Sequence, residues 1–290
     1  MDANNAKGES AAWPRVNVTL PVYNEAAQLA ASVRRVTEFV AALPQWRWEV
    51  VIADNGSTDG TRERAEEMAR EVQKLEVRSQ KLEVGSQESG ARSQELENRS
   101  QKLEDGRQRP ARAITLRVVH LDQAGRGRAL QTVWLASAAD VLSYLDIDLS
   151  TDLAHLPELI GVVAEGRTDI AIGSRLLPGS QTTRGWKREL ISRGYNWLLH
   201  RALGLRVADA QCGFKAISHR AAQALLPQVA DTGFFFDTEL LVLAQRQGWR
   251  ITELPVRWVD DPDSRVRLLR TIGQDLQGVW RLRKEKPTVR

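Results

Sequence analysis

Two carboxylates one residue apart follow an apolar stretch of the chain. Asp146 and Asp148 come directly after residues 141–145, Val-Leu-Ser-Tyr-Leu. Side chains at positions i and i+2 of an extended chain point to the same side, so the two charges would repel each other unless a cation lay between them. Hard divalent ions such as Mg²⁺ bind one or two carboxylates together with phosphate oxygens. The pair therefore predicts a metal site that holds a diphosphate; the alternative is that these aspartates, with Ser150 and Thr151, cap the next helix.

Polar clusters also follow three other predicted strands. They are residues 21–25 (Pro-Val-Tyr-Asn-Glu), 54–60 (Asp-Asn-Gly-Ser-Thr-Asp-Gly) and 173–175 (Gly-Ser-Arg). Parallel strands place their carboxyl ends on one edge of a sheet, and ligands of open α/β sheets bind in the crevice at that edge. We therefore expect these clusters and the aspartate pair, which are far apart in the sequence, to meet at one rim.

The elements that would position these residues alternate between strand and helix patterns in the first half of the chain. Strands are predicted at residues 16–20, 48–53, 114–120, 141–145 and 169–173, and helices at 25–42, 61–72, 128–138 and 156–165. Further helices are predicted at 187–203, 219–226, 237–247 and 266–283, with a strand near 251–258. This order predicts an α/β fold with a mostly parallel central sheet, right-handed crossovers and flanking helices.

A repetitive segment interrupts this alternation. Residues 73–107 are five consecutive heptads, each beginning with Gln, but the apolar spacing is wrong for a coiled coil. The segment has no aromatic residue and too little apolar surface to offset the entropy of ordering it. We predict an insertion at 73–112, either disordered or a frayed helical extension, within a single domain at 14–260 that follows a polar tail at 1–13.

Composition limits the class of protein. The chain has 290 residues, of which 42% are hydrophobic and 27% charged, as is usual for a water-soluble globular protein. Its single cysteine, Cys212, excludes an internal disulfide and fits a reducing compartment. No apolar run approaches the ~18 residues of a membrane span, and the first residues do not resemble a signal peptide. The expected location is the cytoplasm or the cytoplasmic face of a membrane.

The end of the chain is basic. From Ser264 onward there are eight Lys or Arg residues against two Asp or Glu residues, and apolar residues recur there at helical spacing. A basic amphipathic helix at 261–290 could lie on an anionic membrane surface. It could instead pack on the domain with a solvated basic face, and we favour this second interpretation.

Two further features concern ligand binding. The glycines of the turn at residues 125–128 (Gly-Arg-Gly-Arg) would let the backbone approach a ligand at a helix N-terminus. Neither a Walker loop nor a Rossmann fingerprint is present at this position. Asp54 could bind a ribose or a base edge, whereas we expect Asp59 to cap the helix that begins near Thr61.

The motifs together resemble those of the family 2 glycosyltransferases, which have the GT-A fold. The segments that carry the resemblance are 18–25 (VTLPVYNE), 54–61 (DNGSTDGT), 125–127 (GRG) and 146–148 (DID). In the second half, 209–215 (DAQCGFK), 236–241 (FDTELL) and 255–258 (PVRW) resemble the dolichyl-phosphate β-glucosyltransferase and polyprenyl-phosphate glycosyltransferase branch. The resemblance extends over nearly all of the chain outside the first dozen residues and the insertion.

The resemblance implies an activity and its site residues. Such an enzyme moves a hexose, here expected to be glucose from UDP-glucose, with inversion onto a polyprenyl or dolichyl phosphate, using Mg²⁺ or Mn²⁺. The implied donor-binding residues are Pro21, Tyr23, Glu25, Asp54, Gly127 and Asp146. The implied metal ligands are Asp146 and Asp148, and the implied acceptor-phosphate residues are Arg175, Arg188, Ser192 and Lys215. Many relatives continue into transmembrane helices, so lipid contact in this chain would come from peripheral contact of surface helices with a membrane.

The chemistry of the acceptor determines which residues would be catalytic. A phosphate monoester is largely dianionic at neutral pH, because its second pKa is near 6, so it needs guanidinium groups to position it more than it needs a base. A hydroxyl acceptor would need a base, and Asp237 is the candidate for that role. The candidate catalytic residues are then Asp237 together with Asp146 and Asp148. Asp237 could alternatively be a first-turn acid of a helix, and Lys215 could neutralise the diphosphate or cap a strand.

Two other functions stay open at this point. The same fold could glycosylate a soluble hydroxyl or a soluble phosphorylated acceptor. More remotely, the basic C-terminal segment could belong to a non-enzymatic RNA-binding protein. No RNA-binding motif supports the second alternative, and no nucleic-acid partner is expected.

Overall fold

The structure is a computed structural model that describes residues 13–88, 114–183, 185–259 and 268–284. Nine strands occur in these residues: β1 (Arg15–Val22), β2 (Arg47–Asp54), β3 (Thr115–His120), β4 (Val141–Leu145), β5 (Ile170–Ser174), β6 (Gln181–Thr183), β7 (Phe214–Ser218), β8 (Ile251–Pro255) and β9 (Arg257–Val259). The eight α-helices of the same residues are α1 (Ala26–Ala41), α2 (Thr61–Glu88), α3 (Arg126–Ala136), α4 (Leu156–Ala164), α5 (Trp186–Leu203), α6 (His219–Leu225), α7 (Phe236–Arg246) and α8 (Leu268–Lys284).

Seven strands form one central sheet in the order β3-β2-β1-β4-β7-β5-β8. All neighbours in it are parallel except β7, which runs antiparallel to both β4 and β5. The predicted mostly parallel α/β sheet is thereby confirmed. The carboxyl ends of β1, β2, β4 and β5 lie at the same edge, where the polar clusters were expected to meet.

Helices cover both faces of this sheet. Along β1, the buried side chains of Val16, Val18 and Leu20 belong to a core formed with α1, α2 and α4. The other core lies against α3, α5, α6, α7 and α8. The intervening side chains of Asn17 and Thr19 point to this second face, where Trp134 donates a hydrogen bond to Thr19 at 3.2 Å. Because helices cover both faces, successive side chains of β1 are buried, including the polar ones of Asn17 and Thr19.

Three sequence predictions differ from the observed elements. Strand β7 was missed, because it is only five residues long and carries the charged Lys215 at its second position. The strand predicted near 251–258 is two strands, since β8 joins the central sheet and β9 pairs with β6 in a separate two-stranded sheet. Helix α2 was predicted to end at Val72 but continues to Glu88, into the repeats. Residues 89–113 of the predicted insertion lie outside the described residues.

The C-terminal helix packs on the domain. Val279 and Leu282 are buried against the second core, and Arg246 donates a hydrogen bond to the backbone oxygen of Leu282 at 2.7 Å. On its outer face, Leu276 and Trp280 are 47% and 63% exposed. Within the described residues, no helix combines the length and the apolar character that crossing a membrane requires.

Candidate active site

Hydrogen bonds fasten the loop after β1 to the loop after β2. Asn24, whose φ of 57° lies in the left-handed region, donates its backbone N–H to Ser57 Oγ at 2.9 Å. Its side-chain oxygen accepts the N–H of Thr58 at 2.8 Å, and the N–H of Glu25 donates to Thr61 Oγ1 at 2.8 Å. The predicted donor-binding segments 21–25 and 54–60 therefore form one unit at the rim.

Asp59 caps helices within this unit. Its carboxylate accepts the N–H of Thr61 at 3.0 Å and the N–H of Ala26 at 3.2 Å, so it serves the first turns of both α2 and α1. Partial burial acts to raise its pKa, but these hydrogen bonds outweigh it and lower the pKa of Asp59. The predicted capping role of Asp59 is confirmed.

Asp54 has a partner that the sequence did not reveal. The side chain is fully buried at the end of β2, and Oδ2 lies 2.6 Å from Nδ1 of His120, which ends β3. Oδ1 accepts the N–H of Ser57 at 3.1 Å. Beside it, Pro21 is half-buried and Tyr23 is 52% exposed. The position of His120 at the end of the third predicted strand was the signal that could have identified it.

The aspartate pair lies in a tight turn rather than on an extended strand. Strand β4 ends at Leu145, and the N–H of Leu149 donates to the backbone oxygen of Asp146 at 3.1 Å. The prediction that Asp146 and Asp148 point to the same side because they lie on an extended strand is therefore wrong. A turn orients the two side chains. Asp146 and Asp148 nevertheless line the same pocket, together with Gly213, Phe214 and Trp258.

The alternative role of the pair as a helix cap does not fit. The helical turn that follows is capped by Asp152, whose Oδ1 accepts the N–H of Ala154 at 3.0 Å. Asp148 accepts the N–H of Ser150 at 2.9 Å within its own turn. Partial removal from water, together with the charges of Asp148 and Asp237, raises the pKa of Asp146 although Arg126 opposes the shift. The carboxylates are thus close enough to repel each other, which favours binding of a cation.

Gly213 lies directly against the carboxylate of Asp146. Its backbone oxygen accepts the N–H of Asp146 at 3.1 Å. A Cβ atom at position 213 would lie 1.7 Å from Asp146 Oδ2. No side-chain atom can be placed so close without displacing the carboxylate. Glycine is therefore required here by close approach, and the segment 209–215 contributes to the site through its backbone.

Arg126 joins the aspartate pair to α7, a role that was not predicted from the sequence. Its Nη2 lies 3.0 Å from Asp146 Oδ1 and 3.7 Å from Asp237 Oδ2, and it donates to the hydroxyl of Tyr144 at 2.9 Å. The side chain is only 13% exposed, and although burial opposes the charged form, Asp146, Tyr144 and Asp237 raise its pKa. A positively charged arginine is unfavourable at the N-terminus of a helix, where the helix dipole is positive. The position of Arg126 in the sequence could therefore have indicated that acidic side chains lie next to it.

Asp237 and Lys215 form a buried pair behind Arg126. Lys215 Nζ lies 2.9 Å from Asp237 Oδ1 and donates to the backbone oxygen of Cys212 at 2.7 Å and to Tyr144 Oη at 3.2 Å. Tyr144 also donates to Asp237 Oδ1 at 2.5 Å. Both Asp237 and Lys215 are about 2% exposed or less.

These contacts bear on two predicted roles, the acceptor contact of Lys215 and the base role of Asp237, which stay predictions. The ammonium group of Lys215 is occupied by Asp237, Tyr144 and Cys212, so it is a buried counter-ion and does not fit a direct contact with an acceptor phosphate. Burial acts to raise the pKa of Asp237, but Lys215 and Arg126 outweigh it and lower the pKa. A carboxylate with a lowered pKa that is already hydrogen-bonded is a poor base. Asp237 instead holds Arg126 and Tyr144.

Gly127 was predicted to let the backbone approach a ligand. Its N–H donates to the backbone oxygen of Gly233 at 3.2 Å, and a Cβ atom at 127 would lie 2.6 Å from Cβ of Phe236. The absence of a side chain is therefore explained by packing against α7. Donor binding by Gly127 stays a prediction.

The predicted acceptor residues lie at the end of β5 and in α5. Arg175 pairs side-on with buried Asp209, through Nε to Oδ2 at 2.7 Å and Nη2 to Oδ1 at 2.8 Å. Burial opposes the charge on Asp209, but Arg175 lowers its pKa overall. Ser192 Oγ is buried and has no hydrogen-bond partner among the described residues. The side chain of Arg188 lies outside the described residues.

A buried carboxylate on α8 gives a prediction about stability. Burial, followed by the nearby charges of Asp231 and Asp237, raises the pKa of Asp275 to about 6 against the hydrogen bonds from Tyr195 and Gln211. A raised folded-state pKa adds stability at low pH, and this stability is lost as the pH rises through about 6. Asp275→Asn is therefore expected to raise the melting temperature relative to the parent by about 3 °C at pH 7.5, and by much less at pH 4.5.

Thermal unfolding of both proteins at the two pH values checks this expectation. Asp152→Asn is the matched control, because asparagine caps a helix as well as aspartate does. A gain for Asp275→Asn that is the same at both pH values would contradict the assigned cause.

Comparison with known proteins adds a family match and related folds. The sequence matches Glycosyl transferase family 2 over residues 17–100 and 98–226. It is 36% identical to the glycosyltransferase AglD of Haloferax volcanii over 94% of this chain and 38% of that protein. It is 25% identical to the dolichyl-phosphate β-glucosyltransferase of Saccharomyces cerevisiae over 87% of this chain and 69% of that protein. The chain thus spans well under half the length of AglD.

A solved structure has the same fold. Glucosyl-3-phosphoglycerate synthase of Mycobacterium tuberculosis, solved with Mn²⁺, UDP and phosphoglyceric acid, superposes with a TM-score of 0.58 at 19% identity. The superposition covers 96% of this chain and 80% of that one. At this level of identity the likeness concerns the fold.

Proposed function

This chain belongs to glycosyl transferase family 2, and from that premise we propose that it transfers a hexose from a nucleotide sugar to a polyprenyl phosphate. The observation that carries the proposal is the meeting of Asp146, Asp148 and Arg126 at the carboxyl edge of the sheet. Two acids and one buried guanidinium match a diphosphate with its metal ion: the acids would bind the ion, and the guanidinium would bind the phosphate oxygens.

The donor is proposed to be UDP-glucose. Its nucleoside would lie on the unit formed by the loops after β1 and β2, near Pro21, Tyr23, Glu25 and Asp54. Support comes from the relatives named dolichyl-phosphate β-glucosyltransferase and from the glucosyl-3-phosphoglycerate synthase solved with UDP-glucose and Mn²⁺. Tyr23, with 52% of its surface exposed, is free to stack on a base.

The site fits a divalent cation such as Mg²⁺ or Mn²⁺. Within the described ranges, no group of three or more His, Cys, Asp and Glu residues could hold a metal, so the protein's contribution would be the pair Asp146 and Asp148. These hard ions are usually bound by one or two carboxylates, and phosphate oxygens complete the coordination shell. The ion would supply charge stabilisation to the departing diphosphate.

Arg126 is proposed to share that task with the metal site. The bond between the anomeric carbon and the diphosphate oxygen breaks with its electron pair on the diphosphate, so negative charge grows there as the sugar leaves. Tyr144 and Asp237 hold Arg126 in place. The guanidinium would therefore need little movement to reach a diphosphate bound next to Asp146. Its fixed position makes it an effective donor, because little reorganisation accompanies the reaction.

The acceptor is proposed to be a lipid phosphate that attacks the anomeric carbon from the face opposite the diphosphate. A phosphate dianion attacks without loss of a proton, which agrees with the lowered pKa of Asp237 and its engagement by Lys215. Asp209 holds the Nε and Nη2 edge of Arg175, which orients Nη1 as the donor for the phosphate. Ser192 and Arg188 are proposed to complete this subsite.

Lipid contact is assigned to the exposed apolar side chains of α5 and α8. Trp197 on α5 is 66% exposed, and Trp280 on α8 is 63% exposed with Lys284 Nζ 3.5 Å from its ring centroid. Exposed tryptophan beside a basic residue is typical of helices at a membrane surface. Contact with the cytoplasmic face would bring the active site close to a lipid-phosphate acceptor.

An acceptor assay tests the proposal. The purified chain is incubated with UDP-glucose, Mn²⁺ and a short-chain polyprenyl phosphate, and UDP release and glycolipid formation are followed. We expect release that depends on the lipid phosphate and stops with chelator. Release that requires a soluble phosphorylated or hydroxyl acceptor instead would replace the lipid acceptor, and turnover unaffected by chelator would exclude the metal. Membership of an enzyme family leaves no support for the RNA-binding alternative.

A further inference from the structure

We propose that Arg281 of the C-terminal helix α8 is a positioning residue for the active site, acting through a chain of hydrogen bonds that ends at the helix bearing Arg126. The effect on catalysis rests on the proposed function, whereas the structural coupling does not. The chain of contacts runs from α8 through α7 and residues 231–234 to the first turn of α3.

The first contact is an ion pair between the partly exposed Arg281 of α8 and the buried Glu239 of α7. Arg281 Nη1 and Nη2 lie 2.7 Å from Oε1 and 2.7 Å from Oε2 of Glu239, whose side chain is 1% exposed. A paired, bidentate geometry of this kind fixes both partners, and removing the arginine would leave a buried carboxylate uncompensated. Glu239 is thus held in one orientation by the last turns of α8.

The second contact passes from Glu239 to the preceding loop. Oε2 of Glu239 also accepts the backbone N–H of Asp231 at 2.8 Å, and Asp231 Oδ1 accepts the N–H of Gly233 at 2.7 Å. From the other side, α8 presses on the same loop, because a Cβ atom at Gly278 would lie 2.3 Å from the ring of Phe235. The conformation of residues 231–235 is therefore set by α8 through two independent contacts.

The third contact passes from this loop to α3. The backbone oxygens of Thr232 and Gly233 accept the N–H groups of Arg128 at 3.1 Å and Gly127 at 3.2 Å. The first N–H groups of a helix have no partner inside the helix, so these two carbonyls complete the first turn. The ring centroid of Phe234 also lies 5.7 Å from Arg126 Cζ. A shift of the loop would move Arg126 away from Asp146.

Arg281→Gln tests the coupling, with Arg283→Gln as the matched control because it removes the same charge from the exposed side of the same helix. Backbone amide exchange of Gly127 and Arg128 is measured in all three proteins. We expect about tenfold faster exchange of these two amides in Arg281→Gln and no change in Arg283→Gln. Unchanged exchange in Arg281→Gln would overturn the proposal whether or not sugar transfer is detected.

Kinetics then separate positioning from a general loss of structure. We expect Arg281→Gln to lower kcat/KM for the nucleotide sugar about tenfold, and Arg283→Gln to stay within about twofold of the parent. If Arg281 acts through Arg126, the double variant Arg126→Gln/Arg281→Gln will be no slower than Arg126→Gln alone. Multiplied losses in the double variant would contradict this route.

A conservative variant covers the case in which Arg281→Gln does not fold. Arg281→Lys keeps the charge but loses the two-pronged contact with Glu239. It is expected to lie between the parent and Arg281→Gln in both amide exchange and kcat/KM. Parent values in both measurements would show that charge alone, and not the bidentate contact, is needed, and would contradict the positioning role.

Discussion

Asp148→Asn is expected to lower kcat for sugar transfer about 1,000-fold while the protein keeps its fold. An amide oxygen can still accept the N–H of Ser150, which Asp148 accepts at 2.9 Å, so the turn is preserved. What is lost is one of the two negative charges that the proposed cation needs. UDP release from UDP-glucose in the presence of the lipid phosphate measures the effect, and the Mn²⁺ concentration for half-maximal rate is expected to rise.

Asp152→Asn is the control for this change. It makes the same chemical substitution four residues later, at the cap of the following helical turn and outside the pocket lined by Asp146 and Asp148. Activity within about twofold of the parent is expected, since asparagine also caps well. Equal losses in the two variants, or a metal dependence that Asp148→Asn leaves unchanged, would remove Asp148 from the metal site.

Gly213→Ala is expected to reduce kcat about 100-fold, although position 213 carries no chemical group of its own. The added methyl would lie 1.7 Å from Asp146 Oδ2 and 2.2 Å from its Cγ, so the carboxylate has to move. That movement separates Asp146 from Arg126, which lies 3.0 Å away, and from the position it shares with Asp148. Steady-state kinetics and metal titration measure both consequences.

Gly161→Ala is the control for the glycine substitution. Gly161 lies inside α4, where an added Cβ would meet only Glu165 Oε1, at an ordinary contact distance of 3.7 Å. Alanine is favoured over glycine in a helix interior by up to about 1 kcal/mol, so this variant is expected to be fully active and slightly more stable. Full activity of Gly213→Ala would show that Asp146 can move without cost to the reaction.

The two substitutions address different levels of the site. Asp148 provides a charge whose position was evident from the sequence, because two acids ended an apolar run. Gly213 provides empty space, whose importance appears only when the backbone of residues 213–214 is seen against the turn after β4. Loss of activity in both would show that the charge and its position are needed together.

Local patterns in the sequence were enough to predict most of the strands, the sheet edge and the helix cap. Residues 16–20 and 141–145 form strands whose side chains are buried on both faces of the sheet, and the polar residues that follow these strands lie at the shared edge. Asp59 was predicted to cap a helix because its partner, Thr61, is two residues away. Periodicity and capping depend on near neighbours, which the sequence lists in order.

Partner choice over long separations could not be predicted in this way. Lys215 appeared available for a phosphate, yet it is buried against Asp237, and Tyr144 reaches the same carboxylate across 93 residues of sequence. Arg126 and His120 gained roles only through partners contributed by other strands and helices. No periodic pattern records which distant charge a buried charge will meet, because that depends on how the helices pack.

The sequence by itself determined the alternating α/β order, the edge at which the polar loops gather and the acidic pair at its centre, because burial and chain direction are encoded locally. The tertiary structure alone decided that Arg126 faces the pair, that Lys215 and Asp237 support it from behind, and that α8 reaches the site through residues 231–234. Burying a charge is unfavourable unless an opposite charge is placed within a few ångströms, and only the packed fold brings the two together.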